Sequence, residues 1–266
     1  MSKRVLATAA CHTDKGRVRT INEDASLILD LEDCAVVDRL TNFSLDQGGA
    51  VLAVADGMGG AQAGEIASQI SIEQLIRRFT APAPELEGQA RLSEAIRSAN
   101  RAVRHAARED SKRAGMGSTI TAVFMIGDRC HIGQVGDSRA YMIQGDTMRQ
   151  LTKDQSLVQL LVDSGQLSEE EATHSPRRNV ILQALGAQDD VTPEMSELTL
   201  ENNDMILLCT DYVMQKVTKS EVLEVVRNCA SLADACLKLV SLANERGGED
   251  NITVLIAGCT SAAGND

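Results

Sequence analysis

Acidic residues at the ends of apolar runs are the feature of this sequence that most directly indicates chemistry. Asp56 ends such a run, Asp137 and Asp211 each directly follow one, and the pair Glu249–Asp250 directly precedes one. Carboxylate and carbonyl oxygens are the ligands that magnesium and manganese prefer. The glycines that follow Asp56 would let a backbone carbonyl come close to an ion. The set therefore indicates a divalent-cation site, although a single Asp–Gly pair is more often an ordinary turn.

The segment GRVRTINED (16–24) adds an arginine to this acidic set. Arg19 stands four residues before Glu23 and five before Asp24. Near bound cations, a guanidinium can hold a phosphate through two parallel hydrogen bonds, a geometry that a lysine cannot match. The alternative interpretation is a solvated basic loop.

The acids must be positioned by the elements that the apolar pattern predicts. Predicted strands span 5–11, 25–31, 50–56, 118–126, 130–136, 140–143, 204–210 and 251–258. Predicted helices span 62–79, 89–109, 156–164, 168–173, 219–228 and 231–246. Several strands are apolar on both faces, and the order lacks regular strand–helix alternation. We therefore expect an α+β fold, an antiparallel β-sandwich with helices outside, a loop at 80–90 and a frayed tail at 260–266.

Composition excludes several classes of function. A net charge of −12 repels nucleic acid, and aromatic residues at 2% leave few rings for stacking on bases. Seven cysteines without a Cys-x-x-Cys motif argue against a disulfide framework and a structural zinc site. No apolar stretch approaches the roughly 20 residues of a membrane-spanning helix. We expect a cytoplasmic monomer without nucleic-acid or membrane partners.

Six motifs, taken in order, resemble one family. They are R-x-x-N-E-D at 19–24, V-A-D-G-M-G-G at 54–60, G-S-T at 117–119, G-D-S-R at 136–139, L-L-C-T-D at 207–211 and E-D-N-I-T at 249–253. The pattern is similar to the metal-dependent protein phosphatases of type 2C (the PPM family) in their bacterial form. The resemblance implies one domain over 1–259, with four layers in the order α-β-β-α, a helix pair on each outer face and a flap at about 145–190.

The resemblance also implies a metal centre of two Mg²⁺ or Mn²⁺ ions, with a third, weaker ion. Asp56 would bridge the first two ions, and the carbonyl of Gly57 would bind one of them. Asp211 and Asp250 would bind the second ion. Asp137 would help to bind the third ion, together with Asp211.

The remaining implied roles concern the reaction. Glu23 and Asp24 would act around the first ion, largely through waters, and Arg19 would hold the substrate phosphate. A hydroxide bridging the two ions would attack phosphorus in line with the serine or threonine oxygen. The general acid stays open. Met58 stands where some relatives carry a histidine, a metal-bound water could serve instead, and His174 in the flap is the more distant candidate.

Two positions depart from the family pattern. Tyr212 follows Asp211 where the family usually has glycine, and a tyrosine at positive φ would be strained by about 1–2 kcal/mol. Either its ring turns outward and leaves the metals intact, or it weakens Asp211 as a ligand; we expect the first outcome. The sequence 154–156 reads Asp-Gln-Ser where bacterial relatives often have Asp-His-Ser, a change that we expect to affect the flap and not the metal set.

Three functions remain to be compared. The first is an enzyme that dephosphorylates proteins and opposes a Ser/Thr kinase in bacterial signalling. The second is a degenerate phosphatase acting as a binding or regulatory module, for which Tyr212 is the main argument. The third is a small-molecule phosphatase, because a fold does not fix its substrate. Arg177 and Arg178 would meet acidic or phosphorylated partners in the first case, or simply form a solvated turn.

Overall fold

The computed structural model describes residues 4–37, 39–46, 48–59, 63–81 and 86–262. In chain order, its strands are β1 (Arg4–Asp14), β2 (Asp24–Asp30), β3 (Ala35–Val36), β4 (Arg39–Ser44), β5 (Ala50–Met58), β6 (Gly117–Ser118), β7 (Ile120–Ile126), β8 (Arg129–Val135), β9 (Arg139–Gln144), β10 (Thr147–Gln150), β11 (Glu194–Thr199), β12 (Met205–Cys209) and β13 (Ile252–Ala262). The helices are α1 (Ala63–Phe79), α2 (Gly88–Glu109), α3 (Leu157–Asp163), α4 (Glu169–His174), α5 (Asp211–Lys216), α6 (Lys219–Asn228) and α7 (Leu232–Glu245), and a short 3₁₀ helix spans Ser111–Arg113.

The strands form two antiparallel sheets. One has the order β10-β9-β12-β13-β1-β4, and the other has the order β11-β8-β7-β5-β2-β3, with β6 paired to β5. In the first sheet, β13 pairs with β1 along its whole length, from Arg4↔Ala262 to Asp14↔Ile252. The predicted antiparallel sandwich is confirmed.

Three apolar layers hold the sandwich and its helices together. The middle layer lies between the sheets and contains Leu52 and Val54 of β5. The neighbouring β5 residues Val51 and Ala53 point the other way, into the layer under α1 and α2. A third layer packs β12 and β13 against α5, α6 and α7. Because β5 is buried on both faces, its run of apolar residues is continuous, as expected for an inner strand.

The structure corrects several sequence-based predictions. Residues 260–262 belong to β13, so the predicted tail is wrong there, and 263–266 lie outside the described residues. Residues 147–150 form β10 at the edge of the first sheet, so the flap begins after them and not at 145. The outer face of the first sheet carries the short helix α5 in addition to the expected pair. Residues 82–85 of the predicted loop at 80–90 also lie outside the described residues.

The flap follows β10 and carries α3 and α4. Both helices begin at a serine cap: Ser156 accepts a hydrogen bond from the N–H of Gln159, and Ser168 forms a reciprocal capping box with Glu171. Neither helix buries a residue fully. The flap is therefore a mostly exposed insertion held at its base.

Candidate metal centre and active site

Asp56 and Asp24 lie side by side at the ends of two paired strands. They are directly opposite each other in the β2–β5 pairing. The backbone of Asp56 is fixed by Thr119: its N–H donates to Thr119 Oγ1 at 2.9 Å, and its carbonyl accepts from the N–H of Thr119 at 2.8 Å. The end of β5 is therefore a rigid place to mount a carboxylate.

The Asp24 carboxylate is buried between the sheets. Its Oδ2 accepts hydrogen bonds from Thr253 Oγ1 at 2.6 Å and from Thr210 Oγ1 at 3.1 Å. Its Oδ1 has no partner among the described residues. Burial raises the pKa of Asp24 to about 7, and although the two threonine bonds oppose this shift, the charges of Asp211 and Asp250 add to it.

Asp211 and Asp250 lie beyond the paired ends of β12 and β13. Asp211 is the first residue of α5, and its Oδ2 accepts from Gln215 Nε2 at 2.7 Å. Asp250 Oδ2 accepts from Arg19 Nη2 at 3.0 Å. Burial and then the nearby charge of Asp250 raise the pKa of Asp211 to about 6. The predicted phosphate-binding arginine therefore contacts one of the predicted metal ligands.

Asp137 follows β8 and is also buried. Burial, and then the charges of Asp211 and Asp154, raise its pKa to about 8. The preceding Gly136 donates its N–H to Gln155 Oε1 at 2.9 Å. Gln155, one of the family departures, thus contacts the loop that carries Asp137, so its effect is not confined to the flap as the sequence led us to expect.

Glu23 and Gly57 meet at the start of α1. The Gly57 N–H donates to the Glu23 carbonyl at 3.1 Å. A Cβ at Gly57 would stand 2.1 Å from the carbonyl oxygen of Gly64, so only glycine fits this close approach. Burial raises the pKa of Glu23, and the charge of Arg19 opposes the shift.

The acids converge electrostatically. Burial raises the pKa of Asp56 well above its usual range, and the charges of four further aspartates raise it more: Asp24, Asp211, Asp137 and Asp250. In the described ranges, no group of three or more histidine, cysteine, aspartate or glutamate side chains is already arranged to hold a metal ion. The unpartnered Asp24 Oδ1 and the all-oxygen donor set nevertheless fit a hard divalent cation, which would relieve the mutual repulsion.

Several residues that organise the site were not predicted from the sequence. Asn251 accepts from the N–H of Glu23 at 2.8 Å and donates to the carbonyls of Lys15 and Ile21. Thr210 and Thr253 bind Asp24, as described above. These three residues belong to the motifs L-L-C-T-D and E-D-N-I-T. The motifs identify the residue types, but they do not show which distant residues these side chains bind.

Tyr212 does not turn outward to solvent. Positive φ among the described non-glycine residues occurs only at Cys34 and Asn203, so Tyr212 is not strained in that way. Its side chain is buried in the layer beneath α5, with 5% exposed. The expectation of an outward ring is therefore wrong, and the strain that would have weakened Asp211 does not arise.

A cleft of about 740 Å³ lies between two of the site acids and the flap. Asp137 and Asp211 line it on one side, and His174 and Arg178 line it on the other. Arg177 lies in the adjoining turn, where its N–H donates to Ser175 Oγ at 3.2 Å. Met58 is half-buried and sits at the end of β5, opposite Gly117. Within the described ranges, the helices are all too short or too polar to cross a membrane.

The comparisons with known proteins agree with this geometry. A family model described as protein phosphatase 2C matches residues 35–244. The serine/threonine phosphatase stp of Listeria innocua is 34% identical over 251 residues, which cover 93% of this chain and 94% of that protein. Stp1 from Staphylococcus aureus has a solved structure that matches with a TM-score of 0.83 and 32% identity, covering 96% of this chain and 95% of that one.

A further solved structure bears on the metal centre. The catalytic domain of the phosphatase PstP, in complex with 2 manganese ions, matches with a TM-score of 0.80 and 32% identity, covering 96% of this chain and 99% of that one. The sheets, the strand-end acids and these similarities agree: the chain belongs to the protein phosphatase 2C family.

Proposed function

We propose that this protein hydrolyses phosphoserine and phosphothreonine in proteins, with Mn²⁺ or Mg²⁺ as its cofactor. The observation that carries the proposal is the convergence of five aspartates and Arg19 at one end of the sandwich in a member of this family. The related proteins named serine/threonine phosphatases, and the PstP domain bound to 2 manganese ions, support it. Tyr212, the main argument for a degenerate binding module, lies in the core.

We propose that the strand-end acids hold the ions. Asp56 and the carbonyl of Gly57 would hold the first, and Asp211 and Asp250 the second, with Asp56 shared between them. Asp137 lies close enough to Asp211 for their charges to interact, which supports a shared third site. Glu23 and Asp24 would complete the surroundings of the first ion. The orphaned oxygen of Asp24 supports this placement.

The chemistry divides between the ions and the protein. Bound divalent cations supply a nucleophile near neutral pH, because they lower the pKa of water. Arg19 would orient the phosphate and offset the negative charge that its oxygens carry as the ester bond breaks. The Arg19 side chain is half exposed and already spans to Asp250, so its guanidinium lies at the mouth of the site, where a phosphoprotein can reach it.

We propose that the cleft between the acids and the flap receives the protein chain around the phosphorylated residue. Arg178 lines this cleft, and no ion pair joins it to an acid among the described residues, which supports a role in contacting acidic or phosphorylated groups. His174 also lines the cleft, but its Nδ1 already meets Thr173 Oγ1 and the carbonyl of Glu170, both at 3.0 Å. These contacts anchor one ring nitrogen and leave Nε2 to act, so we assign the role of general acid neither to His174 nor to a metal-bound water.

We also propose that the protein is a monomer that opposes a Ser/Thr kinase in cytoplasmic signalling. All seven cysteines are present as thiols, which suits a reducing compartment. Gel filtration and pairing with a kinase from the same cell would test these finer points.

The central experiment compares substrates with and without metal. We expect p-nitrophenyl phosphate and phosphoserine or phosphothreonine peptides to be hydrolysed with Mn²⁺, and not after chelation. Asp250→Ala is the matched control, because it removes one proposed ligand from a loop without disturbing a strand. A folded wild-type protein with no metal-dependent turnover would contradict the proposal. Turnover of small esters with none of phosphopeptides would favour the small-molecule alternative.

A further inference from the structure

One hydrogen bond joins the two segments that carry Asp211 and Asp250. The hydroxyl of Tyr212 accepts from the N–H of Glu249 at 2.9 Å. Tyr212 follows Asp211 directly, and Glu249 directly precedes Asp250. The bond therefore links the neighbours of both acids, although they are far apart along the chain.

The sheet alone does not fix this relation. The β12–β13 pairing ends at Cys209↔Val254 and is extended only by Thr210, whose N–H donates to the carbonyl of Thr253 at 3.2 Å. Before Asp250 the chain turns through Gly247 and Gly248, which have φ angles of 135° and 61°. Positive φ values of this kind favour glycine, and residues that adopt them do not continue the hydrogen-bonded pairing of a strand. The position of residues 249–250 therefore depends on contacts from outside the sheet.

Helix α5 supplies two of those contacts. Besides the Tyr212 hydroxyl, Lys216 Nζ lies 2.9 Å from Glu249 Oε2. The same ammonium stands 5.1 Å from the centroid of the Tyr212 ring. Since the ring is buried and packs with the core residues Val213 and Leu239, its hydroxyl is presented from a rigid base. Helix α5, which begins at Asp211, therefore binds both the backbone and the side chain of Glu249.

The turn at Gly247–Gly248 also contacts the segment that leads to Arg19. The carbonyl of Gly248 accepts from the N–H groups of Arg17 at 2.7 Å and Val18 at 3.1 Å. The segment just before Arg19 therefore rests on the turn that Tyr212 and Lys216 hold. A shift of this turn would move Asp250 and Arg19 together relative to Asp211.

We propose that Tyr212 is a positioning residue that sets the spacing between Asp211 and Asp250 and so preorganises the second cation site. The inference rests on the proposed function, because that is where these two acids are assigned as ligands. Because its ring is buried beneath α5, Tyr212 would act through this hydrogen bond and not by contacting substrate or ion. The family pattern places glycine here, which has no hydroxyl, so the link arises from this chain's own sequence.

The test measures cation binding directly. Wild type, Tyr212→Phe and Tyr212→Gly are titrated with Mn²⁺, and the electron paramagnetic resonance signal of the free ion gives the Kd of each site. We expect Tyr212→Phe to weaken one site about five- to tenfold, the ratio that corresponds to a typical hydrogen bond. Tyr212→Gly should weaken it at least as much. Amide exchange at Glu249 should also quicken in the metal-free Tyr212→Phe protein.

Tyr141→Phe is the matched control, because the chain has only two tyrosines and both are buried in the same core layer. The Tyr141 hydroxyl accepts from Arg139 Nη1 at 3.4 Å, and within the described part of the chain it makes no hydrogen bond to the 249–250 turn. A purely structural role would lower the melting temperature of both phenylalanine variants and leave both Mn²⁺ affinities unchanged. Only a positioning role weakens binding in Tyr212→Phe alone.

A double-mutant cycle with Asp250→Ala completes the test. Once Asp250 is absent, Tyr212→Phe should cause no further change in Mn²⁺ affinity. Wild-type affinity in Tyr212→Phe, tighter binding in Tyr212→Gly, or an undiminished effect in the Asp250→Ala background would each overturn the inference. A wild-type protein that binds Mn²⁺ but leaves phosphopeptides intact would overturn the proposed function, while the affinities would still decide the role of Tyr212.

Discussion

The acidic end of the sandwich and the flap are held in opposite ways. At the acidic end, Asp24 accepts hydrogen bonds from Thr210 and Thr253, and Glu23 donates its N–H to Asn251, all of them distant from residues 23–24 along the chain. In the flap, the helix caps are local, and Leu160 leaves 53% of its surface exposed. Long-range contacts fix the chemistry, whereas the two flap helices that would meet a protein are capped locally, and the base of the flap is tied to the sandwich through contacts such as that of Gln155 with Gly136. Changes at the first should therefore affect every substrate, and changes at the second only protein substrates.

The sharpest test of this contrast is Asp56→Asn. We expect a loss of roughly 10²–10³-fold in turnover of both p-nitrophenyl phosphate and a phosphopeptide, because one preorganised charged group is removed. Without metal, the melting temperature should not fall, since a neutral amide relieves the repulsion among the buried acids. Parallel kinetics and thermal unfolding check both statements. Retention of turnover on either substrate would show that Asp56 does not belong to the chemistry shared by all substrates.

Arg19→Ala should have the next largest effect. We expect kcat/KM to fall by about 10²-fold on both substrates, because the phosphate loses the group that orients it. Arg19→Lys should remain impaired, since an ammonium cannot form the paired hydrogen bonds of a guanidinium. Steady-state kinetics of the two variants measure this. Full activity in Arg19→Lys would show that only the charge matters.

Arg178→Ala tests the flap side of the comparison. We expect the KM for a phosphopeptide with acidic neighbours to rise by about three- to tenfold, the scale of one partly exposed charge pair. Hydrolysis of p-nitrophenyl phosphate should not change. Arg177→Ala is the matched control, because Arg177 neighbours Arg178 in the turn. Equal effects of the two variants would mean that general charge, and not the cleft, contacts the substrate.

The last prediction concerns stability and not turnover: it is the pH dependence of the free energy of unfolding without metal. The pKa of Asp137 in the folded protein is about 8 and that of Asp24 about 7, both above their unfolded values. A raised pKa means that the folded state binds more protons, so this contribution to stability is full below the unfolded pKa and is lost as pH rises through the folded one. From pH 7 to 9, the free energy of unfolding should fall by about 1–2 kcal/mol.

Thermal unfolding in the presence of chelator measures that fall. Asp137→Asn should flatten the dependence, because the amide does not titrate, and added Mn²⁺ should reverse it by favouring the charged carboxylates. Stability that rises from pH 7 to 9 in the metal-free wild type would contradict the assignment of buried, mutually repelling acids.

The sequence predicted the inner strands well and the edge strands poorly. The inner strand β5 is apolar on both faces and was visible as a continuous run. The strands β10 and β11 read TMRQ and EMSELT, and their polar, half-exposed residues carry no such signal, since only one neighbour and one face constrain them. The short helix α5 was missed because Asp211 at a strand end is typical of a turn.

Some features of the candidate site could also be predicted from the sequence, and others could not. Residue type and strand-end position indicated Asp56 and Asp250, because carboxylates at such places have few other reasons to recur. The sequence could not give the bond from Glu249 to the Tyr212 hydroxyl, since it depends on the rotamer of one ring and on a two-glycine turn. The burial of Tyr212 was likewise set by the fit of α5 against the sheet and not by any local pattern.

The pairing of β13 with β1 has a consequence for how the protein is made. A ribosome synthesises β1 well before β13, its main partner in the sheet, because most of the described chain lies between the two strands. Until then, β12 also lacks the neighbour on one side, and Asp24 lacks the hydroxyl of Thr253. A nascent chain stopped before residue 252 carries every acid of the site but lacks the strand that joins β1 to β12 in the first sheet. Catalytic competence is therefore expected to arise only after β13 has been made, so that chains stopped before it do not dephosphorylate their surroundings.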